Sequence, residues 1–193
     1  MPFLCYNFIM ITVQDFKEYF YRDFPYLPIY DENTVYNTGN IVYYTNKFYS
    51  CKKDDTIGEV PTNTTYWQDA KADIYDYILD SDITKAIGEM LALLPSHLFT
   101  SDVILNLAQL YLTAHCLCND IKTSNAGLAS QIIFPVSSKS AGGISESYGV
   151  PRKFLDNETY AFYITSQYGL KYLAMLIPRL RGNIAVVAGW TQP

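Results

Sequence analysis

Residues 103–119 read VILNLAQLYLTAHCLCN, a run whose apolar positions fall on more than one face of a helical wheel. Ser101-Asp102 stands just before it with N-cap chemistry, since a short side-chain oxygen accepts from the free N–H groups of a first turn. A helix apolar on several faces must be enclosed, so Val103 to about Asn119 is predicted to be the buried centre of a helical bundle. Ile74–Leu94 is also helical in period, through Ile74, Ile78, Ile83, Ile87, Met90, Leu91 and Leu94. A second cap at Ser81 or Asp82 would divide it into two short helices, and Pro95 closes it. Upstream, Thr12 and Asp15 form a capping signal ahead of a stripe of Phe16, Tyr19 and Phe20. That helix should stop before Pro25, and Pro25 and Pro28 should hold the next segment extended. Downstream, TSQYGLKYLAMLIPRLRG (165–182) has Thr165 or Ser166 as N-cap, with Tyr168, Tyr172, Leu173, Leu176 and Leu180 near helical spacing. Pro178 is predicted to end or kink it near Ile177, and Gly182 suits the position after a helix end.

Between these helices lie two stretches of strand character. VSSKSAGGISESYGVP (136–151) alternates with period 2 on both sides of Gly142-Gly143, a turn signal. Val136, Ser138 and Ser140 share a face of the first arm; Ile144, Glu146 and Tyr148 share a face of the second, with Ser145 and Ser147 opposite. Such a hairpin has almost no apolar face and is marginal alone in water. Its edges call for partners, as neighbouring copies of the chain would supply; the competing reading of the composition is a flexible Ser/Gly linker. The second stretch, Tyr36–Trp67, reads as a three-stranded module. Ile41–Tyr44 and Lys47–Lys52 are joined at Thr45-Asn46, which is turn chemistry. So short a segment has little room for a core, and its aromatics must carry it.

The chain of 193 residues is 49% hydrophobic, enough for one domain with a small insertion. Eighteen tyrosines raise the aromatic share to 16%, and tyrosine is enriched at protein interfaces. A net charge of −5 argues against tight nucleic-acid binding, which needs clustered Lys and Arg. Cys5, Cys51, Cys116 and Cys118 lack disulfide-framework spacing and read as free thiols in a reducing cytosol. The start, MPFLCYNFIMI, lacks a basic region and a cleavage site, and no run reaches membrane-spanning length. Met10 is an alternative to Met1 as the start. The fold class expected is α+β, mainly α: a helical bundle with a long polar hairpin, an inserted small β module and an extended C-terminal arm. Residues 1–34 and 69–193 would form one domain, and 35–68 the insert.

The polar hairpin followed by a helix opening T-x-x-Y-G-x-x-Y-L (Thr165, Tyr168, Gly169, Tyr172, Leu173) resembles a family of phage head–tail adaptor proteins. ITVQDFKEYFYRDFPYL (11–27) is similar to that family's opening helix. LNLAQLYLTAHCL (105–117), with its Ala114-His115 pair, is similar to its long central helix. The resemblance implies a viral structural protein without catalytic residues, metal or cofactor. Such a protein is a virion component at the head–tail junction, a connector in the neck of a bacteriophage. It implies a homo-oligomeric, twelve-fold ring that contacts the portal protein and a tail or stopper protein and lets DNA pass without specific binding. Assembly would take place in the host cytoplasm, with no membrane partner. Ser138, Lys139, Ser140, Ile144, Glu146 and Tyr148 would then lie at a subunit interface or in the lumen. The C-terminal arm, with Ile184, Val186, Val187 and Trp190 preceded by Arg179 and Arg181, would dock on the portal. The inserted segment resembles small carbohydrate-binding modules of chitinases at Tyr36, Gly39, Val42, Tyr44, Asn46, Tyr49, Pro61 and Trp67. It departs from them at Lys47, where a turn glycine is expected, and in having no tryptophan before Tyr36. This resemblance makes Tyr36, Tyr44, Tyr49 and Trp67 candidates for glycan binding; packing is the commoner use of strand tyrosines.

Other constellations carry less. His115, Cys116 and Cys118 fall short of four zinc ligands, and adjacent residues of one helix point apart, which rules out a Cys-His nucleophile. His97, in a helix-to-helix turn, should face solvent. Asp69, Asp73, Asp76 and Asp80 are spaced to share one face of a helix, where a solvated row is the usual outcome. Gly142, Gly143 and Gly149 lack the Lys-Ser/Thr of a phosphate loop.

Overall fold

A computed structural model describes residues 10–126, 138–141, 144–147 and 158–182. These are about 50% helical with a small three-stranded antiparallel sheet, so the fold is α+β and mainly α. The chain divides into two units: Met1–Tyr19 with Ser81–Pro193, and Phe20–Asp80.

In the first unit, α1 (Val13–Tyr19) opens on the capping box that the sequence signals. The Thr12 amide donates to Asp15 Oδ2 at 2.7 Å, and the Asp15 amide to Thr12 Oγ1 at 3.1 Å. Phe16 is fully buried, whereas Tyr19 is exposed and places its hydroxyl 3.1 Å from that of Tyr111. Helix α2 (Asp80–Leu93) buries Ile83, Ala86, Ile87 and Met90, an i, i+3, i+4, i+7 stripe. Helix α3 (Asp102–Ala126) buries every residue from Leu112 to Leu117, as expected of the central helix. It is tied to the start of the chain by the Ile11 amide, which donates to the buried Gln109 Oε1 at 3.0 Å.

Strands β4 (Ser138–Ala141) and β5 (Ile144–Ser147) pair antiparallel, with Lys139 opposite Glu146 and Ser140 opposite Ser145. The segment is therefore a paired hairpin and not a linker. Helices α4 (Glu158–Tyr163) and α5 (Gln167–Gly182) follow, and α5 packs on α3 through its buried Tyr172, Leu173 and Leu176. Of the expected end or kink near Ile177, the end does not occur: α5 runs through Pro178 to Gly182. A proline this near the helix end removes one hydrogen bond. Leu176 and Arg179 hold the chain on either side of it; the Arg179 guanidinium lies 5.1 Å over the Phe99 ring and donates to the Met175 carbonyl.

The second unit is built on β1 (Ile41–Tyr44), β2 (Lys47–Cys51) and β3 (Trp67–Asp69), in that order and antiparallel. Thr45 and Asn46 both take positive φ, 46° and 62°, as a tight two-residue hairpin turn demands. One sheet face carries Val42, Tyr49, Cys51 and Trp67, which with Tyr36 form the core; Tyr30, Tyr44 and Tyr66 pack against it. The other carries Phe48, with Tyr43 at 4.9 Å and Tyr77 stacked at 5.4 Å. This unit is wider than 35–68. Bridges join Tyr26 to Ile78 and Ile29 to Tyr43, and the Tyr43 amide donates to the Pro28 carbonyl at 2.7 Å. Residues 28–30 thus line the outer edge of β1, while residues 25–27 pair with Ile78.

The acidic row is corrected. Asp69 ends β3, Asp73 caps a 3-10 turn at Ile74–Asp76 by accepting from the Tyr75 amide, and Asp80 opens α2. The four carboxylates lie on three elements, because Ile78 bridges to Tyr26 instead of continuing a helix.

Candidate functional site

The two motifs behind the adaptor resemblance, Ala114-His115 and T-x-x-Y-G-x-x-Y-L, meet at one point of the first unit. His115 is fully buried in α3. Its Nδ1 is 2.7 Å from Ser166 Oγ and its Nε2 is 3.2 Å from Asn119 Nδ2. With the amide so placed, Asn119 donates to Nε2, and the ring proton on Nδ1 is donated to Ser166. Ser166 Oγ also accepts from the Gly169 amide at 3.0 Å, which caps α5. Thr165 Oγ1 is 3.1 Å from Asn119 Oδ1 and 2.8 Å from the Phe162 carbonyl, and Lys122 Nζ donates to the Thr165 carbonyl at 2.9 Å.

Gly169 makes this approach possible. A Cβ there would lie 1.9 Å from the Tyr163 carbonyl oxygen and 2.7 Å from His115 Nδ1. Phe162 meets the imidazole edge-on at 4.7 Å, and Tyr163 lies between it and Tyr172. Burial, reinforced by the Lys122 charge, pushes the His115 imidazole down to about 4. The ring is a neutral hydrogen-bonding strut between α3 and the α4–α5 corner.

Cys116, beside it, is buried, and its thiol is pushed up to about 12 by burial, with Glu89 and Asp120 adding to it. A thiol so raised is inert. Cys51, Cys116 and Cys118 are free, and among the described residues no three His, Cys, Asp or Glu side chains are grouped to hold a metal ion. His97 is exposed in the 3-10 turn Ser96–Leu98, as expected. No described helix is long and apolar enough to cross a membrane.

The glycan candidates sit elsewhere than a sugar platform needs. Trp67 is 1% exposed and its Nε1 donates to the Glu59 carbonyl at 2.8 Å. Tyr36 and Tyr49 are buried, and Tyr36 stacks on Tyr30 and meets Trp67 at 5.3 Å. Stacking on a sugar needs an open ring face, and these three side chains are buried; Tyr44 is half-buried. In the hairpin, Ser138, Lys139 and Ser140 stand on β4 and Ile144 and Glu146 on β5, whereas Tyr148 lies outside the described residues. Of the arm, Arg179 is half-buried on Phe99, Arg181 is in the last turn of α5, and Ile184, Val186, Val187 and Trp190 lie outside the described residues.

From the sequence, Thr165 or Ser166 is the cap and His115 lies on the buried central helix; that Ser166 and His115 are each other's partner is not legible there. Asn119 was missed altogether. The available signal was a glycine within a helical stripe, which marks close approach. No protein-family model, curated protein or solved structure matches the chain.

Proposed function

We propose that the chain is a structural, non-enzymatic virion protein: a head–tail adaptor that forms a ring between portal and tail and provides the DNA conduit. The observation in its support is the meeting of the two resemblance motifs at Gly169, where a one-carbon addition would collide with Tyr163 and His115. Two motifs 51 residues apart that require each other are a stronger sign of a shared fold than either alone. The paired hairpin between them, a sheet of two strands among the described residues, is the element that neighbouring copies would cover. In this reading the ring is twelve-fold, Ser138–Ser147 lies at the subunit contact or lumen, and the arm beyond Arg181 docks on the portal. The unit that carries the hairpin has as many Asp/Glu as Lys/Arg, so it lacks the net positive charge that gripping DNA needs. Glycan binding by the sheet unit is the weaker reading, since three of its four rings serve the core.

The test is to mix the purified chain with portal-bearing heads of the phage that encodes it. Twelve copies per head, counted by mass spectrometry or image symmetry, are expected, and truncation after Arg181 should abolish joining. A full chain that stays monomeric and does not sediment with heads would overturn the assignment.

A further inference from the structure

We infer that His115 is an acid-sensitive latch: its neutral imidazole holds the α4–α5 corner against α3, and a single protonation there releases the corner. The geometry gives the reason. The imidazole is fully buried and both its nitrogens are engaged, with one ring proton between them. A second proton would turn Nε2 into a donor facing the Asn119 amide, so that amide would have to turn over. It would also leave a cation against Phe162, Tyr163 and Gly169 with, among the described residues, no carboxylate paired to it.

The titratable groups around the ring do not relieve this. Lys122, on α3, adds a second positive charge. Tyr163 on α4 and Tyr172 on α5 have their hydroxyls pushed upward by burial and stay neutral, as does Cys116 on α3. Asp120, further along α3, is held by Lys85 at 3.0 Å. In the released corner the imidazole would regain water and its ordinary proton affinity, about 6.5. The sign follows. The open form binds the proton more tightly than the closed one, so closure is fully favoured above about pH 6.5. It weakens as pH falls, by up to about tenfold per pH unit, until the closed form also protonates. Release removes the Ser166 cap from Gly169 and the Lys122 contact with Thr165 together, because every one of these bonds runs through the same turn.

The experiment uses the full chain carrying His97→Ala, which leaves one imidazole signal in the NMR spectrum. Hydrogen exchange of the Gly169 amide, corrected for intrinsic rates, is followed from pH 7 to 4.5. The expected result is an His115 ring that stays neutral with its proton on Nδ1 while the corner is closed. Opening at Gly169 should rise by close to tenfold per pH unit below about 6.5, with Phe20–Asp80 amides unchanged. In His115→Gln the opening should be larger at neutral pH and flat with pH. A pH-independent Gly169 amide in the parent, or the same slope in His115→Gln, would overturn the latch. If His115→Gln does not fold, the slope in the parent together with the ring titration decides the question.

Discussion

The helical unit buries three polar side chains, Gln109, Thr113 and His115, in its described part, while around Trp67 the sheet unit buries one, Thr56. The charge is divided as unevenly. Phe20–Asp80 holds 5 Lys/Arg and 10 Asp/Glu, the rest of the chain 9 of each, so the whole net −5 belongs to the sheet unit. Several of those carboxylates close its own turns: Asp31 accepts from the Asn33 amide and Asp54 from the Thr38 amide, which holds both below the usual carboxylate range. A short segment with one small sheet uses exposed side-chain acceptors where a long helix satisfies its backbone internally. The difference teaches that acid should reach the two units in separate windows. The latch loosens the helical corner between about pH 6.5 and 4. The depressed Asp31 and Asp54 contribute stability above their unfolded value of about 3.9 that is lost only as pH falls below it. Hydrogen exchange resolved by unit should show the corner opening first; simultaneous loss would erase the contrast.

The largest expected effect is Trp67→Ala. Removing a fully buried indole that four residues of the core surround should destabilise the sheet unit by about 3–5 kcal/mol. Near-UV dichroism should report that loss while helical signal at 222 nm largely persists. Gly169→Ala is its counterpart in the helical unit. The collision with the Tyr163 carbonyl is with backbone, which cannot swing aside, so a loss of about 3 kcal/mol is expected. In a Trp190→Phe background, which leaves one indole, Trp67 fluorescence should report an intact sheet unit in that variant. If either substitution unfolds both units in one transition, the division at Phe20 and Asp80 is not an energetic one.

How much of this was legible depended on the range of the interaction that decides each element. The α3 pattern, the Thr12–Asp15 box and the β1–β2 turn at Thr45-Asn46 are written in neighbouring residues, and all three were read correctly. The helix proposed over Ile74–Leu94 was half right, because Ile78 has helical spacing yet its backbone is claimed by Tyr26 and Pro25, some fifty residues away. The same pairing widened the sheet unit beyond 35–68. Beyond Pro178, Arg179 meets Phe99, a contact that no local pattern announces. At the candidate site, His115, Thr165, Ser166 and Gly169 had been singled out while Asn119, Lys122 and Tyr163 had not, and the partnership spans α3 and the start of α5. Periodicity can place His115 and Ser166 on faces; it cannot say which faces meet.

A smaller effect is expected from Thr12→Ala. It removes one acceptor of the capping box while leaving Phe16 buried, and should cost about 1 kcal/mol, confined to the helical unit. Thermal melts followed at 222 nm would measure it. No change would mean that burial of Phe16 alone holds α1 in place.

The smallest effect is a gain in the sheet unit. Thr45 sits at φ 46°, left-handed backbone that a β-branched residue adopts only under strain. The turn is forced on it by register: Tyr44 pairs with Lys47, so two residues alone must reverse the chain, and both need positive φ. Asparagine tolerates that conformation several-fold better than threonine, because its flat amide avoids the crowding of a branched Cβ. Nothing among the hydrogen bonds of the turn requires the threonine side chain, since Tyr43 Oη donates to Asn46 Oδ1. Thr45→Asn should therefore stabilise the sheet unit by about 0.5–1 kcal/mol, the part of the αL strain that asparagine relieves. The helical unit should be unaffected. Chemical denaturation followed by Trp67 fluorescence, with Trp190→Phe in both parent and variant, reads the shift in midpoint. A variant that is less stable than the parent would show that Thr45 contributes packing which outweighs its strain, and that the sheet unit draws on its turn for more than chain reversal.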